Sequence, residues 1–588
     1  MPYRAPEADI LFALKRAAGL DRAMKAGAFA ELGDGLLEAV IGEAGKFATD
    51  RIAPLLRVGD RAHTPIVDGR VTMPAGWTET YRAWAEAGWN ALSGPEAFGG
   101  QDLPTLLSVA TFEMWNSGSM AFAIGPTLTI GAVEALFKHG SDALKATYLA
   151  KLVSGEWMGT MNLTEPQAGS DLAALKARAE RAGDGTYRIF GQKIFITYGD
   201  HEMTDNIVHL VLARLPDAPA GTRGISLFVV PKYLVNPDGS LGARNDVVCA
   251  GIESKLGING SPTCTMVYGD GGGAIGWLVG EENKGLACMF TMMNNARLAV
   301  GIQGVAVAEA ATQHALAYAA ERRQARAPGW TGEGMSPIAL HPDVRRMLAT
   351  SKALTAAARA ICYSCAMAID MSRRSEGSEA ERWAQRAGIV TPLAKAFSTD
   401  VGIDVANLGI QVFGGMGFIE ESGAPQFLRD ARIAAIYEGT NGIQAIDLVT
   451  RKLPLAQGAA VAALIAEWRA AAAATADLPG FGETAQRLAA AIDDLAATVA
   501  WFAAPGRDPA EALAGATPFL RLMSLVAGGA WLAGGAAEAS TEGDADAGAQ
   551  VALVRFFAEN LLAETAALRD RVVAGAPSTL AAAAFLDA

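Results

Sequence analysis

The sequence predicts a mostly α-helical protein with a central β domain and an additional helical domain at its C-terminus. Three observations carry this. Short β-type runs separated by glycine, proline and aspartate occupy the stretch from about 159 to 280. From Lys284 onward, Leu298, Ile302, Val305, Ala308, Ala311, Ala315 and Tyr318 recur at three- and four-residue spacing, which is one face of a helix. After Leu453 and Pro454 the composition turns to alanine-dominated helix.

Taken in order, residues 1–158 read as an N-terminal helical domain, with spaced apolar residues over 36–47 and 107–115. One long irregular run, GWNALSGPEAFGGQDLP (88–104), interrupts it, and Trp89 and Phe98 are placed to pin that loop to a core. Residues 159–280 form the middle β domain, with strands expected over 187–196, 207–215, 224–231 and 264–268 in a compact antiparallel sheet or barrel. The glycines of GDGGGAIGWLVG (269–280) lack G-x-G-x-x-G order and a strand-loop-helix setting, so the run reads as a hairpin turn. Residues 281–453 form a helical bundle, with further helices around 342–372 and 379–412. Residues 459–588 form a separate helical extension, with Trp468, Trp501 and Trp531 as core residues and breaks at Gly480, Gly482, Pro505 and 540–548.

The chain has 588 residues, enough for several domains with large cores. Its formal charge of -13, with no lysine- or arginine-rich block, argues against a nucleic-acid partner, whose binding needs a basic surface. The five cysteines are an odd number and imply no disulfide framework, which fits a reducing cytoplasm. Cys362 and Cys365 form a lone C-x-x-C without the second pair or histidines of a metal site, so they read as buried thiols and no metal is expected. The start lacks the layout of a secretory signal. The most membrane-like stretch, 523–537, is shorter than the roughly 20 residues a span requires and is rich in alanine and glycine, so no transmembrane segment is expected.

Glu438 lies in IYEGTNGIQ (436–444), entered from an apolar stretch and followed by Gly439, Thr440 and Asn441. A carboxylate on a short, apolar-flanked loop is readily desolvated, which raises its pKa toward the range useful to a general base. Gly439 permits close approach of a ligand to the backbone. The bland alternative is a surface-loop glutamate before a helix that begins near Thr440, with threonine or asparagine as its cap.

PEAFGG (95–100), MNLTEPQAGSDL (161–172), KIFITYG (193–199), NNARLAVG (294–301), ERRQ (321–324), QVFGGMGF (411–418) and IYEGTNGIQ together resemble, in order, the runs of the acyl-CoA dehydrogenase flavoprotein family. The resemblance covers about residues 30 to 453, and the helical extension looks like that of the long bacterial members. Within the family, the MPYRAP start, MNLTEPQAGSD, FTMMNNARL and the alanine-rich tail are most similar to the subgroup acting on 3-(methylthio)propanoyl-CoA. It implies the acyl-CoA dehydrogenase fold: an N-terminal helical domain, a middle β-barrel and a four-helix bundle, here with an extra C-terminal helical domain.

The resemblance implies FAD as cofactor. Thr164 and the backbone of Met161 to Leu163 would meet the flavin ring, with Gly169 and Ser170 toward phosphate or pantetheine groups. Ser170 would also cap the next helix. Phe195 and Thr197 fall where the family places an aromatic residue and a threonine against the flavin, although many relatives have tryptophan in place of Phe195. On alternation alone, Phe195 is equally an ordinary strand residue. Arg322 resembles the arginine that reaches the pyrophosphate, for which a guanidinium fork is suited. Gln411, Gly414 and Gly415 resemble the run that contacts the cofactor from a neighbouring subunit, and Thr440 and Asn441 complete the cofactor set.

For the substrate, the resemblance points to Ser170, Asn294, Arg297 and Gly439, although relatives often carry aspartate at the place of Asn294. Some relatives carry their base one residue before the arginine, where this chain has Ala296, so the chemistry falls to Glu438. The implied reaction removes the α-proton of an acyl-CoA thioester as the β-hydrogen leaves as hydride to the flavin, giving a trans-2-enoyl-CoA. The donors expected to polarise the carbonyl are a flavin hydroxyl and the amide N–H of Glu438. The expected partners are a short- or medium-chain or methylthiopropanoyl-CoA substrate, an electron-transfer flavoprotein and a second copy of the chain in a homodimer. Rival readings are an acyl-CoA oxidase or desulfinase on the same fold, and a non-catalytic helical interaction protein.

Overall fold

A computed structural model describes residues 3–62, 64–67 and 69–586, without the side chains of Asn294 and Asn295. The chain divides into two compact units, one of residues 1–48, 105–117 and 297–588, the other of 49–104 and 118–296.

The second unit is built on an eight-stranded sheet. The strand Tyr187–Thr197 pairs antiparallel with Thr263–Tyr268, Ala274–Val279 and Arg178–Arg181. From Ala274–Val279 the pairing continues through Ile225–Pro231 to Asn206–Arg214, and a single bridge from Arg214 back to Arg178 closes a small barrel. The sheet is not wholly antiparallel. Trp157–Asn162 runs parallel to Asn206–Arg214, and the sequence pattern missed it because all six of its residues are buried, leaving no alternation to read. The glycine run after Tyr268 is not a hairpin turn either, since the strands it joins both pair with Tyr187–Thr197 and not with each other. The Asp246 carboxylate accepts from the Gly271 and Gly273 amides and folds that run over.

In the same unit, the irregular run 88–104 holds two short 3-10 turns. The Phe98 ring meets Phe137 edge-on at 6.3 Å between centroids. Gly100 lies so close to the Gly94 carbonyl that no Cβ fits there.

In the first unit, the helices Pro342–Arg374 and Gly377–Phe413 pack along each other and against the C-terminal part of Gly285–Glu321. The stripe read from the sequence is core: Leu298, Ile302, Val305, Ala308, Ala311 and Ala315 are buried, and Tyr318 stacks on Phe413 at 3.9 Å. Small residues set the spacing, since a Cβ on Gly304 would strike the Ser398 carbonyl. Asp370 accepts from the Thr105 and Leu106 amides at 2.9 and 2.8 Å and caps the helix Thr105–His139.

The extension supplies Ala459–Ala473, Thr484–Ala503, Pro509–Glu542 and shorter helices, with Trp468 and Trp531 buried edge-to-face. Trp501 is not core. It is half-buried, with the Arg507 guanidinium 3.8 Å over its ring. The apolar stretch 523–537 proves to be part of the 34-residue helix Pro509–Glu542, one of four helices long and apolar enough to cross a membrane among the described residues. Its most apolar window is 89% buried against the rest of the chain, which accounts for its alanine and glycine content by close packing.

Candidate active site

Glu438 sits on a bend between the 3-10 turn Arg432–Ala435 and the helix Asn441–Asp447. Thr440 caps that helix, its hydroxyl accepting from the Ile443 amide at 3.3 Å. Both Glu438 and Gly439 are left-handed, with φ of 55° and 83°. For a non-glycine residue this conformation costs about 1 kcal/mol or more and has to be enforced by its surroundings. Tyr437 supplies one restraint by donating to the buried Gln303 side chain. Gln444 adds a long contact, 3.4 Å, to the Glu438 carbonyl. The Glu438 amide N–H makes no hydrogen bond among the described residues, so a backbone donor is left open beside the carboxyl.

Burial of the Glu438 carboxyl pushes its pKa up to about 6, against the pull of Arg297 and Lys395. Arg297 is itself largely enclosed, and burial lowers its pKa against the carboxylates of Asp447 and Glu438. Its Nη1 lies 4.0 Å from Asp447 Oδ2, while its buried Nε has no hydrogen-bond partner among the described residues. Asp447 also pairs with Arg451, so this carboxylate is shared between cations. Lys395 is fully buried on the helix Gly377–Phe413 and donates to Asn441 Oδ1 at 2.8 Å. Burial lowers its pKa to about 8, against Asp400 and Glu438. Glu438, Arg297, Gly439, Thr440 and Asn441 are therefore gathered in one place.

Asn441 makes its side-chain hydrogen bonds within the chain. Its Nδ2 donates to Asp400 Oδ1 at 2.7 Å, Thr399 Oγ1 at 3.0 Å and the Ala396 carbonyl at 3.2 Å, while Oδ1 takes Lys395. The amide is thereby committed to the helix Gly377–Phe413. Elsewhere in this unit, Arg322 is exposed with no side-chain partner among the described residues. Gln411, Gly414 and Gly415 are also exposed, and among the described residues nothing beyond the chain neighbours lies within 4 Å of where a Cβ on either glycine would stand. Gly414 needs to be glycine for another reason, its φ of 59° and ψ of -136°.

The remaining candidates belong to the second unit. Met161 ends the buried strand Trp157–Asn162, and the half-buried Leu163 and Thr164 follow it. The Thr164 carbonyl accepts from Ile194 at 2.9 Å and the Leu163 carbonyl from Lys193 Nζ at 3.0 Å, so both are tied to the strand Tyr187–Thr197. Gly169 and Ser170 are exposed. Ser170 does not cap the next helix. Asp171 does, accepting from Ala173 at 2.9 Å at a single 3-10 turn, which leaves the Ser170 hydroxyl uncommitted among the described residues. The side chain of Asn294 lies outside the described residues.

Phe195 is not an ordinary strand residue. Opposite it the register against Thr263–Tyr268 slips, so that Ile196 faces Cys264 but Lys193 faces Met266. Phe195 takes φ 61° in this bulge and is 58% exposed, while Thr197 is half-buried two residues on. A bulge re-aims one side chain out of the pleat, and here it presents an aromatic face to ligand or solvent. Period-two reasoning had no means of locating it.

Sequence reasoning missed Lys395, Asp400, Asp447 and Gln303 around Glu438, and the pair Glu165 and Lys193 beneath the 163–177 loop. A signal existed for Lys395: it is the one cation in the apolar run PLAKAF. A lysine at a core position of a bundle helix has to find a partner or lose its charge.

The chain matches the family profiles described as acyl-CoA dehydrogenase N-terminal domain (37–156), middle domain (160–270) and C-terminal domain (283–453), and acetyl-CoA dehydrogenase C-terminal like (459–583). It is 44% identical to a 3-methylmercaptopropionyl-CoA dehydrogenase of Ruegeria pomeroyi, over 99% of this chain and 100% of that one. It is 36% identical to a butyryl-CoA dehydrogenase of Syntrophomonas wolfei, over 76% of this chain and 75% of the relative. Among solved structures, an acyl-CoA dehydrogenase of Bacillus anthracis complexed with FAD superposes with a TM-score of 0.75 at 22% identity, over 93% of this chain and 89% of that one.

Proposed function

The chain belongs to the acyl-CoA dehydrogenase family, and from that premise we propose that it oxidises an acyl-CoA thioester to the trans-2-enoyl-CoA with Glu438 as the base. The observation that carries the assignment is the Glu438 carboxyl, half-buried on a left-handed bend, brought to about 6 by desolvation and flanked by an amide N–H that is open among the described residues. A base with a pKa near working pH combines a large ionised fraction with driving force for proton transfer, and positioned bases contribute roughly 10² to 10⁴ in rate.

Glu438 takes the α-proton. Its own N–H is available to donate to the thioester carbonyl oxygen as negative charge develops there, an interaction strongest in the transition state. Arg297, held by Asp447, keeps the resting carboxyl ionised. The restraints from Tyr437 and Thr440 fix the bend, so little reorganisation is needed when the proton moves.

Within each unit the residues suit FAD: in one, Phe195 offers an exposed ring face and Ser170 a hydroxyl uncommitted among the described residues; in the other, Arg322 offers a guanidinium suited to phosphate oxygens, and Gly414 and Gly415 leave the backbone approachable. When bound, FAD supplies a two-electron acceptor for the β-hydrogen.

For the substrate, identity along the whole chain to the Ruegeria enzyme supports 3-(methylthio)propanoyl-CoA, with other short- and medium-chain acyl-CoAs as the comparison. An electron-transfer flavoprotein is the proposed acceptor and the cytoplasm the proposed location. A homodimer is supported by Phe418, 88% exposed beside Met416 and Ile419, because an apolar patch next to Gly414 and Gly415 favours burial against a second copy. Single-turnover flavin bleaching with propanoyl- to palmitoyl-CoA and 3-(methylthio)propanoyl-CoA tests the substrate. The Glu438→Gln variant tests the base: it keeps its flavin and loses most turnover, whereas near wild-type flavin reduction would refute the assignment.

A further inference from the structure

Lys395 has no part in the reaction as set out above, yet it is fully buried in the same cluster as the carboxyl that does. Burying an ammonium is costly unless it is paired. Among the described residues its one short contact is to a neutral group, Asn441 Oδ1 at 2.8 Å, three residues beyond Glu438 in the chain. Asn441 in turn grips the same helix through Thr399, Asp400 and the Ala396 carbonyl.

We propose that Lys395 is a positioning residue for the dehydrogenation: it supplies a second buried cation beside Glu438 and, through Asn441, ties the bend that carries the base to the helix Gly377–Phe413. This rests on the reading of Glu438 as the base. It also gives Asn441 its role, as the link between that bend and the lysine.

The charged groups around the pair are few. Glu438 is faced by Arg297 from the helix Gly285–Glu321 and by Lys395 from Gly377–Phe413. Arg297 is balanced by Asp447 and opposed by Arg451, both beyond the bend. Lys395 is balanced by Asp400, which itself faces Asp404 and Arg521, and is opposed by Arg297. Arg297 acts the more strongly of the two on Glu438 but is shared with Asp447, while Lys395 has no carboxylate within ion-pair distance among the described residues and so adds its charge to the site without a short carboxylate partner of its own.

Three substitutions separate charge from contact. Lys395→Arg keeps both, Lys395→Gln keeps a donor to Asn441 without the charge, and Lys395→Met loses both. In the flavin-loaded enzyme, Lys395→Gln and Lys395→Met are expected to move the acid limb of substrate-driven flavin reduction upward by about one pH unit. Lys395→Arg keeps it in place. In flavin-free protein, the carboxyl band of Glu438, identified by infrared difference against Glu438→Gln, should shift its titration in the same direction. A purely structural lysine would lower flavin content or stability and leave both the acid limb and the carboxyl titration where they were. An unmoved limb in Lys395→Gln, a limb moved in Lys395→Arg, or loss of fold in all three variants overturns the proposal. If the wild-type acid limb survives in Glu438→Gln, it is the base assignment that fails. If it vanishes there and stays put in Lys395→Gln, only the proposal for Lys395 fails.

Discussion

Lys193 Nζ lies 2.8 Å from Glu165 Oε1, and neither side chain reaches solvent. Lys193 also holds the Leu163 carbonyl, and the Glu165 carboxylate accepts from Gln167 and from the Lys176 and Ala177 amides. One ion pair thus fixes the backbone on both sides of the 163–177 loop. Burial alone would raise the Glu165 pKa, but Lys193 and the two amides hold it below its ordinary value near 4.5. On Lys193 burial dominates, lowering its pKa to about 8 despite Glu165. Removing the charge with Glu165→Gln leaves a buried ammonium unpaired, and breaking such a pair costs about 3 kcal/mol. Because the carboxyl is depressed in the folded state, its contribution is complete above pH 4.5 and is lost as pH falls through the folded value. Denaturant unfolding of flavin-free protein should show a large gap between wild type and variant at pH 7, narrowing in acid.

Phe195 gives the opposite case, a residue whose removal should leave the fold untouched. With its ring 58% exposed, Phe195→Ala is expected to change the stability of flavin-free protein by no more than about 0.5 kcal/mol. Flavin affinity should nonetheless fall tenfold or more, read by equilibrium dialysis. Equal affinity in the two proteins would remove Phe195 from the cofactor site.

The ion pair and Phe195 show how far the sequence reaches. The helix-sheet-helix order and the core stripe from Leu298 were legible because periodicity reports one-sided burial directly. So was the helix that starts after Thr440, through its cap. The strand Trp157–Asn162 was not, since burial on both faces erases the alternation. Phe195 was located only by resemblance, because the bulge that turns it outward depends on register against a strand about 70 residues later. Lys395, Asp400 and Asp447 act through contacts made in space by separate helices, which spacing along one helix does not encode.

The Glu438 site should carry a measurable cost in stability. Its carboxyl is raised from an ordinary 4.5 to about 6 by burial, so between those values the folded state holds more protons than the unfolded one. Stability therefore falls as pH rises through that window, by about 2 kcal/mol in all. Glu438→Gln has no such titration. Flavin-free Glu438→Gln is expected to be more stable than wild type at pH 7 and to converge with it below pH 4.5, as measured by thermal unfolding across pH. Equal stability at both pH values would mean that the carboxyl is better solvated than its surroundings imply.

The extension can be tested through one glycine. A Cβ on Gly528 would stand 2.8 Å from the Ala357 Cβ and 3.2 Å from its carbonyl oxygen, so the helix Pro509–Glu542 approaches Pro342–Arg374 backbone to backbone. Neither neighbour is the far end of a flexible side chain, and relief has to come from moving a helix. Gly528→Val should therefore cost about 1–3 kcal/mol and expose the 459–588 region to limited proteolysis before the bundle. Gly543→Ala is a useful contrast, since nothing lies within 4 Å of its Cβ position and only the φ of 78° resists substitution. If Gly528→Val melts and cleaves like wild type, the extension is not held by this crossing. The alternative is then the cluster of Arg16 with Glu538, Glu542 and Asp544. That clamp is ionic and partly exposed, so high salt would weaken it while leaving the Gly528 contact unaffected.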